Sequence, residues 1–598
     1  MKLRIVGAVF AMLAAAHVSS GVAQETRPPL AGFGAPDWYV AHRIVAHTRL
    51  SPNQRNANPP PDPAWQKAFE HAGHYLRQMG ATVLIRHLRT RGELPPWRTD
   101  SPSHGLAEDM LDNAHLSGLH LIGYYWHSSD EEQFAAHPDW SCDDRRGRPE
   151  EHRARGRYLD FASGYGEVVA GQLAEIASFD FDGAYLDGRS YPPAGCFGSA
   201  LEQQYRSGLG LLGSLSGLAR TNGYVAGFRQ YQGRRLAEIV AGWHERLPLG
   251  KDFALIVSTA SLATLINPEM PADMARTGIP KTEYGTAIRP GLNLRLFERA
   301  PELAATRPAD ATRIGAGIDF LATVSRVPPS VWINGINDET KLRRAVGVVV
   351  THGGVANIDI AEKLIPPGAD GARSDRAVYE RLFALDQRMA PYFEAAERPQ
   401  FAAILLSEAA RNSRSPEVAW RDVVGPAVAA YGALVARGLP VALIDDRILD
   451  ANDLGQYRHL IVPAGAIDFV SVAETGPDRV IIPPLGSDPT ANRDRLQAAL
   501  EPVYADEAAA PLRVAAADPG YDIRFWTASG GKILVSAVVS SETTPTAPVS
   551  LSVFMAGEAL SGYCVTDVLE ARDMGRYVST FDLDAILPWQ VLSLAPCE

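Results

Sequence analysis

The stretch Phe179-Asp180-Phe181-Asp182-Gly183-Ala184-Tyr185-Leu186-Asp187-Gly188 decides how the rest of the chain is read. Its centre, Gly183 to Leu186, predicts a short buried strand that ends in a carboxylate and a glycine. A carboxylate at the carboxyl end of a buried parallel strand has to meet a solvated cleft or a ligand, because burying it alone is costly. In barrels of alternating strands and helices, that end of the strand is where sites are built. Asp187 is therefore the first candidate catalytic residue. The loop Arg189-Ser190-Tyr191-Pro192-Pro193 that follows predicts a pocket wall, with Arg189 and Tyr191 as ligand contacts. Asp180 and Asp182 lie at the opposite end of the strand and read as turn residues.

Outward from this strand, the chain alternates strand and helix. The other strand expectations are 38–45, 82–87, 121–127, 253–259, 283–288, 331–334 and 355–360. Between the first two, Trp65, Phe69, Ala72, Leu76 and Met79 recur at helical spacing. Eight strands alternating with helices predict a (β/α)8 TIM barrel over residues 37–390. Short β-rich runs at 401–406, 441–444, 459–462 and 480–482, with a helix at 418–436, predict a flavodoxin-like α/β domain over 398–510. No GxGxxG or GxxxxGK[ST] element accompanies it, so no nucleotide site is read there. Alternating runs at 532–539 and 549–554, separated by Gly, Pro, Ser and Thr turns, predict a C-terminal β-sandwich over 515–598.

Composition narrows the function classes. With 598 residues the chain is too long for one core. A hydrophobic fraction of 46% and a charged fraction of 21% fit a soluble globular protein. The net charge of -12 excludes a general nucleic-acid binder, which needs a basic face. Lys2 and Arg4 precede an apolar run from Ile5 to Ala16, and Gly21-Val22-Ala23 is a small-residue cleavage site. Residues 1–23 are thus expected to be a signal peptide, giving a periplasmic or secreted protein with no membrane attachment after cleavage. An uncleaved anchor is the alternative, though the run is short for a span. Export permits disulfides. Of three possible connectivities, Cys142 with Cys196 and Cys564 with Cys597 keeps each bridge within one domain. The first would tie the insertion after the third strand to the loop after the fourth.

The motifs resemble barrel-type bacterial glycoside hydrolases, including α-L-fucosidase-like proteins. The resemblance rests on Gly123-Tyr124-Tyr125-Trp126-His127, on Ala136-His137-Pro138-Asp139-Trp140 with Gly147-Arg148-Pro149, and on the 181–188 strand. Leu405-Leu406-Ser407-Glu408 and Val441-Ala442-Leu443-Ile444-Asp445 are similar to segments of the trimerisation domain of family 42 β-galactosidases. The chain departs from the family after Asp187, where only Cys196 stands in place of a cysteine cluster. The resemblance implies an exo-acting glycosidase with a carbohydrate substrate. It also implies a homo-oligomer, dimer or trimer, with Trp420 and Tyr431 as contacts, against a monomer whose middle domain only braces the barrel.

Glycoside hydrolysis ordinarily needs two carboxyl groups. Asp187 is the candidate nucleophile or base. Glu283, near the sixth strand, is the candidate acid/base, with Glu269 as competitor. The sequence leaves retaining and inverting mechanisms both open. Contacts to substrate are expected from His47, His87, Arg89, Trp126 and His127 at other strand ends; Arg89 in the run Arg86-His87-Leu88-Arg89-Thr90-Arg91 suits an acidic group. His152 and Asp160 fall in the insertion after the third strand. No GxSxG occurs in a strand–turn–helix context, which argues against a Ser/His/Asp hydrolase. No HExxH or dense His/Asp cluster occurs, so no metal is expected, and no other cofactor is expected either. Two alternatives stand: an exo-sialidase-like hydrolase using His127 or His152, and a non-catalytic carbohydrate-binding protein that keeps Trp126 and Tyr191.

Overall fold

The computed structural model describes residues 35–48, 63–88, 104–152, 156–187, 195–218, 223–247, 252–258, 279–285, 310–334, 336, 338–360, 373–394, 396–414, 416–451, 453–470, 476–516, 521–540, 549–577, 580–583 and 587–597. The expected signal peptide lies outside them. Among these residues no helix is long and apolar enough to cross a membrane.

Eight parallel strands close a barrel: β1 (Ile44–Thr48), β2 (Val83–His87), β3 (His120–Trp126), β4 (Gly183–Asp187), β5 (Ala254–Ser258), β6 (Ile279–Gly285), β7 (Ser330–Asn334) and β8 (Val355–Asp359). Each pairs with its sequence neighbour, and β8 pairs back onto β1. Alternation sorts the side chains into two cores. Val45, Val83, Ile85, Ile122, Tyr124, Tyr185, Ala254, Ile256, Ile279 and Val355 fill the interior. Ala46, Leu84, Leu121, Ala184, Leu186, Leu255 and Ile358 face the helical shell. Gly183 is required where β4 begins: a Cβ there would lie 2.4 Å from the carbonyl oxygen of Ala254 on β5. Asp180 adopts φ 72° in the turn that precedes the strand.

Two strand expectations need correction. Residues 38–45 do not form the first strand. Asp37–Val40 is a helical turn that brings Tyr39 into the interior core at the amino end of the barrel, and the strand begins at Ile44. The stretch 38–45 is in fact a turn with one buried aromatic, followed by the first two residues of β1. The sixth strand starts four residues before Glu283, at Ile279, whose side chain belongs to the interior core.

The middle unit has a four-stranded sheet of β9 (Ala402–Leu405), β10 (Val441–Ile444), β11 (His459–Pro463) and β12 (Asp478–Ile482), all parallel, in spatial order β10-β9-β11-β12. That order is flavodoxin-like. The helix expected at 418–436 is present but is interrupted by a π-helical stretch, Trp420–Val424, before continuing as Gly425–Ala436. Trp420 and Tyr431 are both buried in the middle core, so they offer no surface to another subunit. Their size made them look available; the helix instead buries Trp420 in the middle core and turns Tyr431 to the junction, where its hydroxyl meets His352.

The C-terminal unit is a pair of antiparallel sheets. Strands β13 (Leu512–Ala516), β16 (Val549–Met555), β17 (Glu558–Ala559) and β20 (Phe581–Leu583) form one, centred on β16. The other runs β14 (Tyr521–Ala528), β15 (Lys532–Val539), β21 (Trp589–Pro596), β18 (Tyr563–Asp567) and β19 (Arg572–Tyr577). The three units share cores. Helix Asp310–Ser325 gives Ile314 and Ile318 to the barrel shell but Ala316, Phe320, Leu321 and Val324 to the middle core. Trp526, Leu534 and Trp589 of the second sheet join the barrel shell. A buried polar network sits at the junction. Asp319 accepts from Arg398 and from Arg524 (3.1 Å), while His352 lies 2.7 Å from the hydroxyl of Tyr431 and 3.3 Å from Asp522.

Both expected disulfides form, Cys142–Cys196 across 54 residues and Cys564–Cys597 across 33.

Candidate active site

Strand parity places the site. On β4, Gly183, Tyr185 and Asp187 face the interior, so the apolar core of the barrel gives way to a carboxylate at its carboxyl end. Asp187 is 7% exposed and accepts a hydrogen bond from the hydroxyl of Tyr124. Tyr124 stands one inward step below Trp126, which is in register with Asp187. The Tyr124 ring lies flat on His87, with centroids 3.8 Å apart and planes within 2°. His47 completes the cluster. Its ring centroid is 5.3 Å from His87, 5.7 Å from Tyr124, 5.8 Å from Tyr185 and 5.2 Å from Trp332. Five strands thus converge: β1 gives His47, β2 His87, β3 Tyr124, β4 Tyr185 and Asp187, and β7 Trp332.

The candidates named from the sequence divide accordingly. Asp187, His47 and His87 are brought together, and Trp126 ends β3 beside Asp187. His47 lies within β1 and is fully buried, not on the loop after it. Trp126 is half-buried and its indole donates to Ser129 Oγ at 2.9 Å. His127 faces the outer layer, stacked on Phe161, with Nδ1 2.9 Å from the carbonyl oxygen of Asp187. It therefore ties the ends of β3 and β4 together through the backbone. Glu283 lies in β6, two residues before the strand ends, with its Cα in register with Trp332; its side chain lies outside the described residues. Arg89, Arg189, Tyr191 and Glu269 also lie outside them, as does the side chain of His152. Asp160 is fully buried and accepts from the backbone N–H groups of Ala162 and Leu201, both at 2.9 Å, which makes it a loop organiser.

Tyr124, Tyr185, Trp332 and Asp359 were not named as site residues from the sequence. The first two sit two residues before Trp126 and Asp187, so strand parity alone would have found them. Asp359 ends β8 in register with His47 and brings a second carboxylate to the same end of the barrel.

Charge is handled differently around the barrel. Arg86 is buried on the outer side of β2, and burial pushes its guanidinium down to about 9. At the amino end, burial raises the carboxyl of Asp182, but hydrogen bonds from His120, the Leu121 N–H and His115 outweigh it and hold the group below its ordinary value. In the insertion after β3, burial pushes Asp143 and Glu150 up. That insertion is fixed to the segment after β4 by Cys142–Cys196 and by paired backbone hydrogen bonds between Asp143 and Phe197, at 2.8 and 3.1 Å. Among the described residues, no group of three or more His, Cys, Asp or Glu is placed to hold a metal ion.

No known protein-family profile matches the chain, and no curated protein matches it in sequence. Solved structures do match in fold. The β-galactosidase from Bacillus circulans sp. alkalophilus superposes with a TM-score of 0.64 at 12% identity, over 92% of this chain and 99% of that one. Gan42B, a GH42 β-galactosidase from G. stearothermophilus, solved as a catalytic mutant, gives 0.66 at 11% identity, over 95% and 100%. The α-L-fucosidase isoenzyme 2 from Paenibacillus thiaminolyticus gives 0.60 at 10% identity, over 93% and 100%. The similarity runs through all three units and establishes the fold.

Proposed function

We propose that this chain is an exported, exo-acting glycoside hydrolase that removes a terminal sugar by carboxylate chemistry. The observation that carries the reading is Asp187. It is a nearly buried carboxylate at the carboxyl end of β4, held by Tyr124 within a cluster of histidines and aromatic rings. A barrel places catalytic groups at this end, and aromatic faces with ring nitrogens suit a pyranose, which offers both apolar C–H faces and hydroxyls. The neighbours that share the three-unit fold are named as β-galactosidases and an α-L-fucosidase, which agrees with a glycosidic substrate.

Asp187 serves as nucleophile or base, and the second carboxyl is Glu283 or Asp359, each at or near a carboxyl strand end. The insertion after β3 is anchored by Cys142–Cys196 to the segment after β4, and an insertion held at that end of the barrel would favour a chain terminus over a through-running polysaccharide. The two disulfides fit an oxidising compartment. A homo-oligomer would have to form on surfaces other than Trp420 and Tyr431, and light scattering at micromolar concentration decides that point.

The test is a screen of aryl galactosides, fucosides and sialosides with the wild type and Asp187→Asn. The wild type is expected to hydrolyse at least one, and the variant to fold normally while losing about a thousandfold or more in turnover. Glu283→Gln and Asp359→Asn then identify the partner. A folded Asp187→Asn protein with near-normal turnover removes Asp187 from the mechanism.

A further inference from the structure

Asn357 lies at the centre of β8, and strand parity puts it inside the barrel. Val355 belongs to the interior core, whereas Ala356 and Ile358 belong to the shell. Its Cα is in register with Val45 on β1 and Trp332 on β7. Val45 is apolar, and Trp332 stacks against His47 of the candidate site. Asn357 is fully buried, yet neither Oδ1 nor Nδ2 has a hydrogen-bond partner among the described residues. Buried amides are ordinarily paired, and one with donor and acceptor both unpaired calls for an explanation. A Leu or Val at this position would have filled the interior layer without that penalty.

We propose that Asn357 is a specificity-determining residue whose amide takes a vicinal hydroxyl pair of a pyranose bound in the barrel mouth. The amide presents one acceptor and two donor protons in a single plane. Two adjacent hydroxyls complement it, one donating to Oδ1 and the other accepting from Nδ2. A site that pairs its buried polar atoms only with the correct ligand rejects analogues that leave them unpaired. The inference rests on the reading of the mouth as a sugar site and adds the residue that reads ring hydroxyls.

Asn357→Leu tests it in the full-length protein, because it keeps the branch at Cγ and removes both polar atoms. D-Galactose and L-fucose are titrated by calorimetry into wild type, Asn357→Leu and Asp187→Asn, and the first two are melted without sugar. A sugar that binds the wild type is expected to bind Asn357→Leu at least about tenfold more weakly, a difference of about 1.4 kcal/mol. The variant is expected to melt at or above the wild-type temperature, since the lost amide has no partner among the described residues. Equal affinity overturns the inference, and so does failure of both sugars to bind the wild type. A lower melting temperature also overturns it, because the amide would then be holding the barrel. Full hydrolytic activity in Asp187→Asn alongside weakened binding in Asn357→Leu would instead count against the catalytic assignment alone.

Discussion

Replacing Tyr124 with Phe removes one oxygen from the centre of the candidate site and little else. The ring stays stacked on His87, 3.8 Å away, and stays in the interior core with Tyr185. What disappears is the hydrogen bond from the Tyr124 hydroxyl to Asp187. A hydrogen bond to a charged group is worth about 1.5–3 kcal/mol. If Tyr124 holds the Asp187 carboxylate in the orientation needed at the transition state, that range translates into a loss of about 10- to 150-fold in kcat/KM. The assay is steady-state kinetics on the aryl glycoside cleaved fastest by the wild type, run on Tyr124→Phe, Asp187→Asn and the double variant. Because Tyr124 would act only through Asp187, Tyr124→Phe should add less than about threefold to the defect of Asp187→Asn. Two results refute the reasoning: a Tyr124→Phe enzyme within about threefold of wild type, or a double variant whose losses multiply in full.

Three further outcomes are expected. Replacing both Cys142 and Cys196 with Ala should destabilise the barrel by roughly 2–4 kcal/mol in urea titration: chain entropy sets a ceiling of about 4 kcal/mol for a 54-residue loop, and the Asp143–Phe197 backbone pair retains part of the tether. Asp182→Asn should cost about 1–2 kcal/mol near neutral pH. Because the folded-state pKa of Asp182 is depressed, its contribution is present above the unfolded value near 3.9 and is lost as pH falls through the lower folded value, so the wild type and Asp182→Asn should converge in denaturant titrations below about pH 4. Arg398→Met removes a guanidinium that bridges Asp319 to the carbonyl of His352, and should cost about 3 kcal/mol while separating the unfolding of the middle unit from that of the barrel in calorimetry.

The architecture was legible because each unit writes its period into the sequence. β4 could be read from its short apolar run and the carboxylate and glycine that end it, and the parallel middle sheet from four short apolar runs. The pairing of Cys142 with Cys196 followed from two loops leaving the same barrel face. The first strand was misplaced because Trp38, Tyr39 and Val40 have strong strand propensity. Their helical turn is decided by a tertiary fact, the need to close the amino end of the barrel with Tyr39, and propensity yields to such packing. Trp420 and Tyr431 misled for a related reason: the sequence shows which residues share a helix, but not that the helix lies between its own sheet and the C-terminal strands.

The site was legible only one strand at a time. Asp187, His47 and His87 could each be named from a strand end, yet nothing in linear order says that β1, β2 and β4 bring them around Tyr124. That convergence follows from barrel closure, which places residues far apart in sequence on neighbouring inner walls. Parity within a strand was the unused signal. Once Asp187 is taken as inward-facing, Tyr185 must be inward too, and the β3–β4 register then makes Tyr124 its partner. The same step from Val355 reaches Asn357 and Asp359 on β8. Polar residues at inward positions break the apolar pattern that a filled barrel requires, and β8 breaks it at its centre with Asn357 and at its carboxyl end with Asp359. The choice between Glu283 and Asp359 as the second carboxyl then reduces to a measurable difference. An acid that protonates the leaving group matters most for poor leaving groups, so the variant at the true acid should lose far more activity on an alkyl glycoside than on a nitrophenyl one. Equal losses on both substrates would mean that the substituted residue is not the acid.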